Sequence, residues 1–271
     1  MCRFQVRSSA GSLAIKFDLP QSFDLIALRV HCTALRDTSL SPNFLRGQFG
    51  KALHHLDPAA YEHWFAPHSD QGPSGLRDSP RAFVIRARET RISAGSRFDF
   101  ALHLFDVRPG SADLAIRAFE TIAPIDSITA RDPLRFPLEP AHGVSQIRID
   151  FLTPTELKNA DRPDFAILFA RLRDRISTLR ARYQSGPLEI DFKAMAERAA
   201  AIRMTRCEIG YVESERTSRS TGQRHPLSGF TGFAEYEGEL GEFMPYLEIG
   251  RYTGVGRQTV WGKGEIHAVV A

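Results

Sequence analysis

Apolar side chains recur along this chain in two rhythms, every second residue and every third or fourth, and the switches between them predict its elements. Phe23 to Val30 is a short apolar run with β-branched members, which predicts a strand. Ser41-Pro42 then reads as an N-cap with proline at N1. Leu45, Phe49, Ala52, Leu53 and Leu56 follow at helical spacing, and Asp57-Pro58 ends or kinks the helix. A Gly/Pro/Ser-rich loop from Pro67 to Pro80 leads into Ala82 to Ile85 and Phe98 to Phe105, whose alternation fits two half-buried strands. Another helix is expected from Ser111 towards Ile122. Strand, helix, strand, strand, helix is most of a split βαβ, ferredoxin-like unit. The proline-rich stretch Ala123 to Gly143 is the best domain boundary, giving an amino-terminal domain over 1–130 and a carboxy-terminal one over 144–271.

The second half repeats the logic. Ile147 to Leu152 predicts a strand, and Phe165 to Tyr183 predicts a helix with Phe165, Leu168, Phe169, Leu172, Ile176, Leu179 and Tyr183 on one face. Its other face carries Arg171, Arg173, Arg175, Arg180 and Arg182, which reads as a solvated helix surface, with a phosphate-binding role left open. A short helix around Asp191 to Ala200 and a long strand near Ile202 to Glu213 follow. The loop Arg216 to Arg224 then concentrates positive charge and hydroxyls suited to phosphate oxygens, although polar loops are common without any ligand.

Composition narrows the class. A chain of 271 residues with 42% hydrophobic and 25% charged content holds a sizeable core, and no apolar run approaches the roughly 20 residues that span a bilayer. The early serines interrupt any apolar leader after Met1 to Arg7, so secretion is not expected. Cys2, Cys32 and Cys207 lie far apart, which fits a reducing compartment and a cytoplasmic location. The net charge of +3 is too mild to imply nucleic acid by itself. Of the 35 basic residues 30 are arginine, which grips phosphate bidentately and stacks on bases; an arginine-rich codon bias accounts for the same count.

From Ser228 the sequence runs SGFTGFAEYEGELGEFMPYLEIGRYTGVGRQTVWGKGEI. Gly229-Phe230-Thr231-Gly232 opens a strand, Tyr236-Glu237-Gly238 closes it, a helix passes through Pro245 to Gly250, and a glycine-rich loop runs from Gly254 to Gly264. Glycines at 254 and 256 allow backbone conformations closed to other residues and can bring N–H groups close to a phosphate chain, with Arg257 and Lys263 supplying charge. Standing alone, such a loop is equally a tight helix-to-strand turn. It is not a nucleotide-hydrolase phosphate loop, because Gly264 follows Lys263 where Ser or Thr is required, and it follows a helix and lacks the third glycine of a dinucleotide fingerprint. This closing block resembles that of the CRISPR repeat-processing endoribonucleases of the RAMP superfamily. Leu152 to Lys158, Arg175-Ile176 and Leu45-Arg46-Gly47 resemble the same family more loosely. The resemblance implies an α+β fold of tandem ferredoxin-like (RRM-like) domains, RNA near the glycine-rich loop through Gly254, Gly256, Arg257, Thr259 and Lys263, and cleavage of CRISPR repeat RNA into guide RNAs without a metal or cofactor; Arg224, from the charged loop, is a further candidate contact.

Metal-free cleavage uses the adjacent 2′-OH as nucleophile, so the protein must assist its deprotonation, protonate the 5′ oxygen and stabilise the phosphorane. Histidine suits that work near neutral pH. The family commonly keeps a catalytic histidine in or just after the first helix, a segment that here holds His54, His55, His63 and His68 beside Lys51 and Tyr61. His54 and His55 avoid the apolar stripe and are expected to reach solvent, whereas His63 and His68 are expected on a flexible segment. His55 and His54 rank first, because a helix C-terminus favours an imidazolium; which histidine acts stays open. Among the scattered histidines only His225, next to Arg224, is not read as structural. The alternative function is a non-catalytic RAMP-type RNA-binding subunit of a CRISPR effector complex, and a third reading is an unrelated α+β protein whose glycine-rich ending is a structural turn.

Overall fold

A computed structural model describes residues 21–66, 79–130, 133–158, 160–213, 215–217, 224–226 and 228–271, with the two three-residue segments by their backbone. The first half comprises β1 (Ser22–Thr33), β2 (Thr38–Leu40), α1 (Pro42–Leu56), α2 (Pro58–Phe65), β3 (Phe83–Arg86), β4 (Thr90–Ile92), β5 (Arg97–Leu104), α3 (Ser111–Glu120), β6 (Ile125–Ala130) and β7 (Leu134–Pro137). The second comprises β8 (Gln146–Thr155), α4 (Phe165–Tyr183), α5 (Phe192–Ala200), β9 (Arg203–Val212), β10 (Glu215–Thr217), β11 (Arg224–Pro226), β12 (Gly229–Glu237), α6 (Met244–Thr253) and β13 (Ile266–Val270). The sheet orders β3-β5-β1-β6 and β13-β8-β12-β9, antiparallel throughout, are each a ferredoxin-like sheet. The fold is therefore α+β, with two ferredoxin-like units in tandem.

Local chemistry explains the first unit. Ser41 caps α1 by accepting from the Phe44 N–H at 3.1 Å, with Pro42 at N1. Asp57 then ends α1 and caps α2 through the Ala60 N–H at 2.9 Å, so the expected kink is a helix-to-helix junction. Phe49 fixes α1 against the core, stacking on Phe119 of α3 at 4.6 Å and meeting Phe83 of β3 edge-on at 5.2 Å. The strand that completes the first sheet, β6, lies inside the proline-rich stretch read as the domain boundary; β7 lies there too and pairs with the start of β1, and the short β2 and β4 and the closing β13 are not predicted from the sequence either. β6 lacks clean alternation and β7 is only four residues long, and the partner strand, not propensity, holds both in place.

Helices α4 and α6 lie between the two sheets. On one side Phe165, Leu168, Phe169 and Leu172 of α4, with Tyr246 and Leu247 of α6, share a core with Ile147, Ile149 and Phe151 of β8. On the other, Tyr252 of α6 packs on His103 of β5 and Phe136 of β7 at ring separations of 5.1 and 5.3 Å. This arrangement overturns the solvated arginine face expected for α4: Arg173, Arg175 and Arg180 are buried. Buried guanidiniums need acceptors. Arg173 donates to Asp174 and the Phe192 carbonyl, and Arg180 to the Gln21 side chain and the Pro187 carbonyl. Gln184, just past α4, trades hydrogen bonds with the Asp24 backbone of β1 at 3.1 and 2.7 Å, joining the units. Among the described residues no helix is long and apolar enough to cross a membrane.

His103 reports on that interface. Its Nδ1 donates to the Tyr252 carbonyl at 3.1 Å, while burial first, and the Arg86 charge second, push its pKa down to about 4 from 6.5. The folded protein thus holds a neutral ring that takes up a proton on unfolding. Its stabilising contribution is complete above pH 6.5 and is lost as pH falls towards 4, about 3 kcal/mol in all. Denaturant titrations of the protein and of His103→Gln across that range are expected to diverge by this amount, the variant losing less; parallel curves would refute the assignment.

Candidate nucleic-acid interface and cleft

The glycine-rich loop follows α6 and is wedged between the two units. Val255 N–H bonds to the Gly264 carbonyl at 2.8 Å and closes its stem. Arg257 N–H and Gly264 N–H bond to the carbonyls of Glu156 and Pro154, so the loop meets the end of β8. Thr259 to Trp261 form a 3-10 turn against α1 and β3 of the first unit. The glycines serve this crossing. Gly256 has φ +80°, and a Cβ there would collide with the Glu156 carbonyl; at Gly262, φ +82°, a Cβ would stand 2.6 Å from Cγ of Pro42. The chain's own crossing therefore accounts for these glycines without any ligand.

Few of the loop residues expected to meet RNA are accessible. Lys263 is 8% exposed and Thr259 3%, both facing the interior, and Gly254 is buried. Burial at the wedge explains why charge alone misplaced Lys263 at the surface. Arg257 is open, with its side chain 63% exposed, and pairs with Glu156 at 2.7 Å. Its neighbours Gly256 and Gln258 are half-buried. Arg224 lies in β11, paired with β10. That hairpin shows ladder structure in part of what read as a loop; the 218–223 tip lies outside the described residues.

The histidine candidates stand elsewhere. The loop touches α1 at its N-terminal end, where Gly262 meets Pro42, whereas His54 and His55 occupy its last turn. The intervening helix sets them roughly 20 Å apart along its axis. Lys51, His54 and His55 are all exposed on that helix, and the His54 ring packs edge-on against Tyr61 at 5.0 Å, while Tyr61 stacks on Phe65. His63 belongs to the ordered helix α2, held by the Asp57 cap, and not to a flexible segment as expected. His68 lies outside the described residues.

His63 has surroundings the other candidates lack. With a side chain 38% exposed, it lines a cleft of about 450 Å³ together with Val107, Arg108, Arg135, Arg182 and Tyr183. Behind it Asp106 is fully buried, 3.5 Å from Nε2, and accepts from the Trp64 indole at 2.8 Å and from Arg108 Nε at 2.8 Å. Burial works to raise the Asp106 carboxyl, but the hydrogen bonds from Arg108 and Trp64, with the Arg108 charge, outweigh it and hold the pKa below the usual range. For His63 burial comes first and Arg108 second in pushing the pKa below 6.5, with Arg182 adding to them and Asp106 opposing. Neutral imidazole is the resting form at pH 7. Tyr183 donates to the Pro80 carbonyl at 3.1 Å, and burial raises its phenol, so it is a poor acid. Asp106, Arg108, Arg135 and Tyr183 were not legible as site residues; the one available signal was Asp106-Val107-Arg108 directly after a strand end.

The second unit's open sheet face is neutralised internally. Arg148 lies over the Phe233 ring at 3.7 Å and pairs with Asp150, while Arg206 pairs with Glu208 and Glu235. Carboxylates on that face work against a phosphate backbone.

The molecule is thus a tandem of ferredoxin-like units with a glycine-rich loop wedged between them. The model of the family described as CRISPR-associated endoribonuclease Cas6 matches residues 149–266, the span from β8 to β13. Solved structures agree on the fold. A Cas6 product complex aligns at 16% identity and a TM-score of 0.60, covering 90% of this chain and 100% of that one. A Thermus thermophilus Cas6 aligns at 14% and 0.58, covering 92% and 99%, and a partial Cas6-RT-Cas1–Cas2 complex at 12% and 0.60, covering 92% of this chain and 46% of that one. No curated protein matches.

If the loop is a wedge, Gly262→Ala is expected to cost about 2 kcal/mol, from the Pro42 contact and the left-handed backbone together, as a lower denaturant midpoint. An unchanged midpoint would mean that the loop is loosely seated.

Proposed function

We propose that this chain is an endoribonuclease that binds CRISPR repeat RNA and cleaves the precursor transcript into guide RNAs without a metal, with the cleft at His63 as the place of chemistry. The family match over residues 149–266 supports the activity, and among the matched structures are Cas6 complexes with product and with a substrate mimic. One observation carries the assignment of the cleft. Among the described candidates, His63 alone combines a half-open neutral imidazole, a buried carboxylate behind it and guanidiniums beside it. This reverses the ranking that put His55 and His54 first.

The arrangement fits attack by the 2′-OH. Neutral His63 takes the hydroxyl proton as the 2′ oxygen bonds to phosphorus, Asp106 stabilises the imidazolium that forms, and the imidazolium gives the proton to the 5′ oxygen as its P–O bond breaks, leaving a 2′,3′-cyclic phosphate; Arg108 and Arg182, which line the cleft, would offset the charge of the phosphorane. Lys51, His54 and His55 face solvent on α1, where they can meet RNA outside the cleft. Other CRISPR proteins are partners on the same reasoning, since one matched structure is a Cas6-RT-Cas1–Cas2 complex. The second reading, an RNA-binding subunit that does not cut, draws support from the absence, among the described residues, of an exposed histidine at the loop.

His63→Ala is expected to slow single-turnover cleavage of a repeat RNA by about 10² to 10⁴ in EDTA with little change in affinity, while His54→Ala and His55→Ala stay near the parent rate. Because the His63 pKa is depressed, the basic form and the rate are expected to rise through a midpoint below pH 6.5. Full activity of His63→Ala refutes the assignment; RNA bound but uncut by the parent protein selects the subunit reading. At the loop, Arg257→Ala is expected to lower the slope of log affinity against log salt by about one unit, whereas Lys263→Ala leaves it unchanged. An equal loss of slope in both would place Lys263 on RNA.

A further inference from the structure

Two buried arginines, one from each unit, hold the two ends of the glycine-rich loop. Arg175, in the middle of α4, donates Nε to the Thr253 carbonyl at 3.0 Å, where α6 runs into the loop. Arg86, the last residue of β3, points Nη1 at the Lys263 carbonyl at 3.4 Å, where the loop runs out towards β13, and its Nε stands 3.8 Å from Glu265. The terminal Nη2 of Arg86 lies under Gly254, 3.0 Å from where a Cβ would be. Both residues are buried, and the Nη2 atoms of both lack hydrogen-bond partners among the described residues. Burial and mutual repulsion make the arrangement costly: Arg175 is pushed down to about 9 by burial first and by Arg86 second. Two apolar side chains in their place would serve stability as well or better.

We propose that Arg86 and Arg175 are positioning residues: they clamp the stem of the glycine-rich loop from opposite units and so fix the outward tip Gly256-Arg257-Gln258 for RNA, without touching RNA themselves. The clamp makes the loop's conformation depend on docking of the two units, since Arg86 reaches it only while β3 is packed on the second unit. The RNA part of the inference rests on the RNA-binding reading above. The loop part stands without it.

The test uses the full chain with Arg86→Met and Arg175→Met, measuring thermal stability, amide hydrogen exchange over residues 253–265, and affinity for polyuridylate across a salt series. The clamp predicts faster exchange in that segment, thermal stability kept or raised, and affinity lower by about tenfold with the salt slope unchanged. Unchanged exchange overturns the clamp. A slope reduced by about one unit per variant also overturns it, because the guanidiniums would then be phosphate contacts. If the parent protein does not bind polyuridylate, the RNA-binding reading is what suffers, and exchange alone decides the clamp. Should a methionine variant fail to fold, Arg86→Lys and Arg175→Lys carry the same exchange measurement, with faster exchange still expected because one ammonium cannot reproduce the guanidinium geometry.

Discussion

A helix layer with a sheet against each side is the constraint on which the rest of this molecule depends. Helices α4 and α6 bury one flank in their own unit and present the other to the first unit, and α4 is left with no exposed residue to spare for charge. The arginines of α4 are consequently paired inward with carbonyls and side-chain acceptors. The loop leaving α6 must return to β13 through the seam between the units, which leaves room for glycine and little else at its crossings. The close placement of Arg86, Arg175 and half-buried His103 is a consequence of the same seam, where both guanidiniums lie out of reach of water.

The seam also divides the functional surface. The loop, seated at the start of α1, exposes Arg257; the end of α4, the segment after β5 and His63 of α2 build the cleft. On the proposed reading, chemistry takes place at the cleft and RNA is held at the loop as well. Chemistry at the cleft and affinity at the loop are then separable, which makes a binding subunit and a nuclease close variants of one architecture.

How much could be read from the residues follows from range. Elements set by local signals were legible: the Ser41-Pro42 cap and the Leu45/Phe49/Leu53 stripe define α1, and the apolar stripe from Phe165 to Tyr183 defines α4 with its observed limits. The glycine-rich block was legible as a block. Elements and roles that depend on partners distant in sequence were not. Strand β6 carries weak alternation and exists because β1 leaves it an edge; the arginine face of α4 looks solvated until a second sheet covers it. Lys263 is charged and flanked by glycines, yet the wedge buries it. His63 was legible as a candidate, but the features that distinguish it from His54 and His55 come from Asp106, Arg108 and Arg182, 43 or more residues further along the chain.

The central claim is that the scissile phosphate sits in the cleft and not at the glycine-rich loop. Photo-crosslinking with a repeat RNA that carries 4-thiouridine at the cleavage position tests it most directly. The account predicts crosslinks in the segments that line the cleft, 107–108 and 182–185. Crosslinks confined to 256–261 and the start of α1 would contradict it.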